Sequence, residues 1–278
     1  MNKTKIDYCD STWSPVTGCL HGCTYCYARN ITQRFGGWKY TPGMARINIS
    51  DDKTYIAPIK AYYGEARETN NGTIADIKDH FLTSKCHKAP FPFGFTPTFH
   101  RYRLDDFKNK KGRNIFVCSM ADLFGDWIPD EWIQKVFKAC EAAPQHRYLF
   151  LTKNPSRYIE LANKGILLNE SKNNVSCWYG TTTEVPEKEY FYCSHLADEK
   201  YNTFVSIEPI QADFGDIEIN TDLIILGSET GNRKDKVVPK REWIENIVEQ
   251  CRHTNTPVFM KNSLSPIWGE SLIQEFPW

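Results

Sequence analysis

From about residue 95 the apolar positions of this chain come in short, nearly unbroken runs. They are FTPTF at 95–99, NIFVCSM at 114–120, RYLFLT at 147–152, VSCWYGT at 175–181, NTFVSIE at 202–208, DLIILGS at 222–228 and PVFMK at 257–261. The runs are rich in Val, Ile and Phe and do not alternate with polar residues, which is the pattern of strands buried on both faces in a parallel sheet. Helical periodicity lies between several of them. PDEWIQKVFKACEAAP (129–144) puts Trp132, Val136, Phe137 and Cys140 on one face, with acids in its first turn. NPSRYIELANKG (154–165) has Pro155 near its start and Gly165 as a C′ residue. PKREWIENIVEQCRH (239–253) groups Trp243, Ile244, Ile247, Val248 and Cys251. The connection from Glu208 to Asp222 is too short and irregular for a full helix and reads as a loop. Repetition of strand, helix and strand implies right-handed βαβ units and an α/β fold, a partial or complete parallel (β/α) barrel.

The strands end alike. NIFVCSM runs into Ser119 and Asp122, RYLFLT into Lys153, and VSCWYG into Thr181, Thr182 and Thr183. FVSIEP carries Ser206 and Glu208, IILGSET carries Ser228, Glu229 and Thr230, and VFMKNS carries Lys261 and Asn262. In a parallel barrel such C-terminal ends form one rim, where active sites are built. Lys153, Glu208, Glu229 and Lys261 are therefore candidate catalytic or substrate-holding residues. Ser119, Asp122, Ser206 and Ser228 are candidate cofactor-binding ones.

Composition sets limits. The 278 residues are 41% apolar and 24% charged, ordinary for a globular protein. The N-terminus lacks the apolar core of a secretory signal, and no stretch approaches about 18 uncharged apolar residues, so a cytoplasmic protein is expected. Lys plus Arg and Asp plus Glu both total 34, which gives no electrostatic footprint for broad duplex nucleic-acid binding. The basic run 108–113 reads as a solvated turn. One domain over 1–278 is expected, with an insertion at about 36–93 near the barrel mouth and a tail, 263–278, packed across a barrel face. Trp38, Tyr40, Tyr62, Tyr63 and Arg67 in the insertion could stack on a planar substrate, or simply pack it down.

Three of the ten cysteines fall within CLHGCTYCY, spaced C-x3-C-x2-C, after the segment WSPVTGC, which reads as a first strand. Zinc is one reading, with Cys19, Cys23, Cys26 and either His21 or Cys9. Structural zinc sites usually draw paired ligands from two segments, and no second C-x2-C or H-x3–5-H occurs. A disulfide nest and an iron–sulfur cluster on the three thiolates are the other readings. Cys118, Cys140, Cys177 and Cys251 read as small hydrophobes, while Cys86 and Cys193 have no assignment.

CLHGCTYCY resembles the signature of the radical S-adenosylmethionine (SAM) superfamily. The resemblance implies that Cys19, Cys23 and Cys26 ligate a [4Fe–4S] cluster, with SAM on the open iron and Tyr25 near its adenine. It also implies reductive cleavage of SAM and hydrogen abstraction from a substrate, with an electron donor such as flavodoxin or ferredoxin. A narrower resemblance covers most of the chain. STWSPVTGC, RNIFVCSMADLF, APQHRYLFLTKNP, FVSIEP and IILGSETG are similar to segments of an uncharacterised radical-SAM-like family of phages and prophages. That setting and the balanced charge point to a small molecule or a single nucleobase or nucleotide as substrate. The segment Gly-Gly-Glu, which many superfamily members carry after the second strand, is missing; GSE at 227–229 is the nearest match. The competing class is a non-catalytic iron–sulfur or zinc sensing module.

Overall fold

The computed structural model describes residues 4–35, 44–50, 53–58, 63–69, 72–79, 91, 94–186, 189–231 and 233–278, with side chains described outside 33–79 and 189–193. Contacts divide the chain into two compact units. One is formed mainly by Thr12–Lys110 and Val117–Ala143, the other by Asn2–Ser11, Lys111–Phe116 and Pro144–Trp278.

In the first unit the segment expected as one strand is two, β1 (Ser11–Trp13) and β2 (Val16–Thr17). Between them stands Pro15, which has no N–H to give a ladder. The cysteine loop then leads into α1 (Tyr27–Phe35). Next come β3 (Met44–Ser50) paired antiparallel with β4 (Lys53–Pro58), and β5 (Tyr63–Thr69) paired antiparallel with β6 (Gly72–Asp79). The run FTPTF yields β7 (Thr98–His100), which pairs with β6 and β2 in a four-stranded sheet, β2-β7-β6-β5, and not with the parallel run as expected. After β8 (Asn114–Val117), all but the last residue of which belongs to the second unit, the chain forms α2 (Asp130–Glu141). Its buried face is Trp132, Ile133, Val136, Phe137 and Cys140, and Trp132 stacks on Phe99 with 5.2 Å between centroids.

The second unit continues with β9 (Arg147–Thr152), α3 (Ser156–Asn163), α4 (Glu170–Asn173), β10 (Ser176–Thr183), α5 (Glu189–Asp198) and β11 (Asn202–Ile207). Then follow β12 (Ile224–Leu226), α6 (Arg241–His253), β13 (Val258–Met260) and the short α7 (Ser265–Trp268). From Glu208 to Asp222 there is neither helix nor strand, as the sequence implied. The seven-stranded sheet runs β1-β8-β9-β10-β11-β12-β13, and every pair from β8 to β13 is parallel. This is an α/β fold compatible with part of a (β/α) barrel.

Both faces of that sheet are buried, which explains the unbroken apolar runs. Val205, Ile207, Ile224, Leu226, Val258 and Met260 pack with Ile244, Ile247, Val248 and Cys251 of α6. The alternate residues Leu149, Trp178, Phe204, Ile225 and Phe259 pack on the other face with Tyr8 and Phe116. Trp278 joins them, edge-on to Trp178 at 4.7 Å, so the tail does pack across a sheet face. Among the described residues no helix is long and apolar enough to cross a membrane.

Candidate functional site

Within the first unit the cysteine loop is tied down at several points. Gly18 begins it at φ +83° and donates its N–H to Met120 O at 2.8 Å. A Cβ there would lie 2.3 Å from Thr96 O, so the turn demands glycine. The Cys19 N–H donates to Phe95 O at 3.1 Å, and the Tyr27 hydroxyl donates to Ser119 O at 2.6 Å. The His21 ring meets Asp122, Nε2 to Oδ2 at 2.9 Å, and lies edge-on to Trp127 at 4.9 Å. The other oxygen of Asp122 accepts the Phe124 N–H at 3.0 Å. Arg29 donates to His21 O at 2.9 Å and lies 4.7 Å over the Phe95 ring.

All three sulfurs of the loop belong to half-buried residues. The Cys19 sulfur accepts the His21 N–H at 3.4 Å. The Cys26 sulfur accepts the Arg29 N–H, also at 3.4 Å, and so stands at the capping place of α1, the helix end that favours negative charge. Burial, followed by the charge of Asp122, pushes the Cys19 thiol up to about 12, against the His21 amide. Alone, this thiol keeps its proton; a cationic centre would reverse that. Among the described residues no group of three or more His, Cys, Asp or Glu side chains stands close enough to hold a metal ion. The donor set still suits a sulfur-ligated cluster, because three thiols share one loop and two of them already accept backbone amides.

Within the second unit the C-terminal ends of five parallel strands gather charge. Continuing the alternation Leu149, Leu151 past β9 brings Lys153 to the face that carries Phe204 and Phe259. Continuing Phe204, Ser206 brings Glu208 there, and continuing Phe259 brings Lys261. Lys153 pairs with Glu184, which also accepts from the Gln211 amide at 3.4 Å. Lys261 pairs with Glu208 and stands 6.0 Å from the Tyr8 ring centroid. Between these two runs Gly227, whose N–H donates to Ile207 O at 3.1 Å while Leu226 O accepts the Lys261 N–H at 2.9 Å. A Cβ on Gly227 would sit 3.1 Å from Lys261 Cδ and 3.2 Å from Glu208 Cδ.

The chain matches, over residues 3–274, the family described as a protein of unknown function, DUF5131. It belongs to that family. No curated protein and no solved structure matches it.

In this DUF5131 chain the expected site residues are sorted unevenly. Lys261 and Glu208 come together, and Lys153 finds a carboxylate, but Glu229 turns to Arg233 in a two-pronged pair at 2.7 Å. That pairing holds the Glu229 carboxyl below its ordinary range. Ser228 is held by Ser263: its N–H donates to the Ser263 hydroxyl at 3.0 Å and its hydroxyl to the Ser263 carbonyl at 2.9 Å. Ser206 is fully buried, and among the described residues its hydroxyl meets no hydrogen-bond partner. Asp122 stands beside the cysteine loop and orients it through His21, while Ser119 contributes its carbonyl. Tyr25 is half-buried in the turn before Cys26. Cys9 packs in the second unit, its thiol pushed up to about 12 by burial. Cys118, Cys140, Cys177 and Cys251 are buried, as expected of small hydrophobes. Trp38, Tyr40, Tyr62, Cys86 and the side chains of Tyr63, Arg67 and Cys193 lie outside the described residues. Sequence reasoning missed Glu184, Gln211, Arg29 and the saddle at Gly227. Glu184 had a signal, since it directly follows the polar end of β10.

Proposed function

We propose that this protein is a radical SAM enzyme. Cys19, Cys23 and Cys26 would hold a [4Fe–4S] cluster, and SAM would take the iron that lacks a protein ligand. The observation that carries the reading is the pinned loop, in which three thiols at C-x3-C-x2-C spacing include two that accept backbone N–H groups. When bound, the cluster would supply one-electron reduction of SAM, the chemistry by which hydrogen could be abstracted from a substrate.

The chain's own residues do the positioning. His21 and Asp122 fix the orientation of the loop, and Arg29 holds its middle carbonyl. Within the second unit, Lys261 and Lys153 offer N–H donors and Glu208 and Glu184 offer acceptors, the kinds of group that pair with the polar edge of a nucleobase or nucleotide. Two neutralised ion pairs fit an uncharged base better than a long polyanion, in keeping with the balance of 34 basic and 34 acidic residues. Turnover calls for an external one-electron donor such as flavodoxin or ferredoxin.

Iron analysis tests the metal assignment. Protein prepared without oxygen is expected to hold about four irons with a [4Fe–4S] absorption spectrum. Replacing Cys19, Cys23 and Cys26 together by Ala is expected to remove the iron and leave the circular dichroism unchanged, because the buried sheet forms without these residues. Stoichiometric zinc with no iron would refute the assignment.

A further inference from the structure

A cavity lies at the other ends of the strands. Its volume is about 330 Å³, and it is lined by Asp10, Arg113, Asn114, His146, Arg147 and Ser176, among others. Asn114, Arg147 and Ser176 are the first residues of β8, β9 and β10. In a parallel sheet those ends share one edge, opposite to Lys153 and Glu184. That edge of a (β/α) fold ordinarily serves stability alone, so a polar cavity there needs its own account.

The cavity holds more donors than acceptors. Arg113 donates from Nη1 to the Ser11 hydroxyl at 3.2 Å. Arg147 donates from Nη1 to Asn114 Oδ1 at 2.7 Å and stacks 4.4 Å over the Trp278 ring. Its Nε is buried and, among the described residues, has no hydrogen-bond partner. Two guanidinium forks thus carry many more N–H groups than the two neutral oxygens they meet. The acids nearby are already engaged. Asp10 accepts the Asn114 N–H at 2.8 Å, and Glu170 accepts from the Ser176 hydroxyl at 3.2 Å and from the Asn202 amide. Trp278 keeps the Arg147 plane in place, which lowers the cost of ordering it around a ligand.

We infer that this cavity binds the phosphate group of a small ligand, held by Arg113 and Arg147. A tetrahedral oxyanion offers both forks an acceptor pair at once. The volume exceeds what a bare ion fills and admits the rest of a phosphomonoester. This site lies at the strand ends opposite the charged ones, and the inference stands without the SAM reading.

The experiment titrates the full chain with inorganic phosphate, and separately with glycerol phosphate, by calorimetry and by ³¹P line width, at fixed ionic strength. Saturable binding of both is expected, with glycerol phosphate the tighter. Arg113→Ala is expected to weaken it about tenfold or more, and Arg113→Lys, which keeps the charge but not the fork, by several-fold. Among the described residues Arg113 makes one side-chain hydrogen bond, so both variants are expected to fold, as circular dichroism would show. Lys153→Met and Lys261→Met are expected to bind as the parent does. Four results would each overturn the inference. They are no saturable binding, unchanged affinity in both Arg113 variants, an equal response to chloride, and loss confined to the lysine variants.

Discussion

Lys261 and Glu208 form an ion pair across the bare Cα of Gly227. Their strands are not neighbours, since β12 lies between β11 and β13. The pair can close because position 227 has no Cβ, which would stand 3.1 Å from Lys261 Cδ and 3.2 Å from Glu208 Cδ. The two side chains are only 17% and 25% exposed, so each carboxylate or ammonium left alone is poorly solvated. Glu208→Gln and Lys261→Met are each expected to cost about 1–2 kcal/mol in urea denaturation, and the double variant less than their sum. Additive losses would show that the pair contributes nothing as a pair. Gly227→Val is expected to part the two side chains and to reproduce the single losses.

Asp122 acts on the sulfurs at one remove. It holds His21 at 2.9 Å, and the His21 N–H meets the Cys19 sulfur at 3.4 Å. Asp122→Ala frees that ring and is expected to lower the iron retained after gel filtration several-fold, with Asp122→Asn intermediate because it keeps a hydrogen bond. Iron content equal to the parent's in both variants would remove Asp122 from the loop's support.

The tail is fastened by Glu275, which accepts from Arg252 of α6 at 2.8 Å and from the Val258 N–H at 3.1 Å. The Arg252 hydrogen bond, ahead of the smaller pull from Val258, holds the Glu275 carboxyl below its ordinary range. A depressed carboxyl stabilises the folded chain above its unfolded value, near 4.3, and loses that stabilisation as pH falls through the folded value. The two side chains are 48% and 41% exposed, enough for water to screen the pair, so Arg252→Met is expected to cost only a few tenths of a kcal/mol at neutral pH. The difference from the parent should fade as the pH drops below about 4. Urea melts at pH 7 and in acid measure it, and a deficit that persists undiminished in acid would assign it to lost packing instead.

The buried strands were legible because two-sided burial writes unbroken apolar runs. β9 occupies the run RYLFLT from Arg147 to Thr152, and β11 lies within NTFVSIE. Partnership was not legible: Thr98–His100 has the same apolar character, yet it pairs with β2 and β6. Residues 72–79 are extended although Ile74 and Ile77 stand three apart, a helical spacing. A hairpin partner in β5 decided that, and single-segment periodicity does not register it. The strand-end charges Lys153, Glu208 and Lys261 were visible one by one. Their pairing was not, because it depends on the row set by three strands and on the missing side chain at Gly227. Glu229 pairs locally, with Arg233 four residues on.

Reductive cleavage of SAM tests the central claim most directly. Protein with a full complement of iron, reduced with dithionite and incubated with SAM without oxygen, is analysed by chromatography. The account expects 5′-deoxyadenosine and methionine in equal amounts, formed slowly without substrate and not at all after Cys19, Cys23 and Cys26 are replaced. SAM bound without any 5′-deoxyadenosine would contradict radical catalysis. A clustered protein that binds no SAM would instead be a non-catalytic iron–sulfur module.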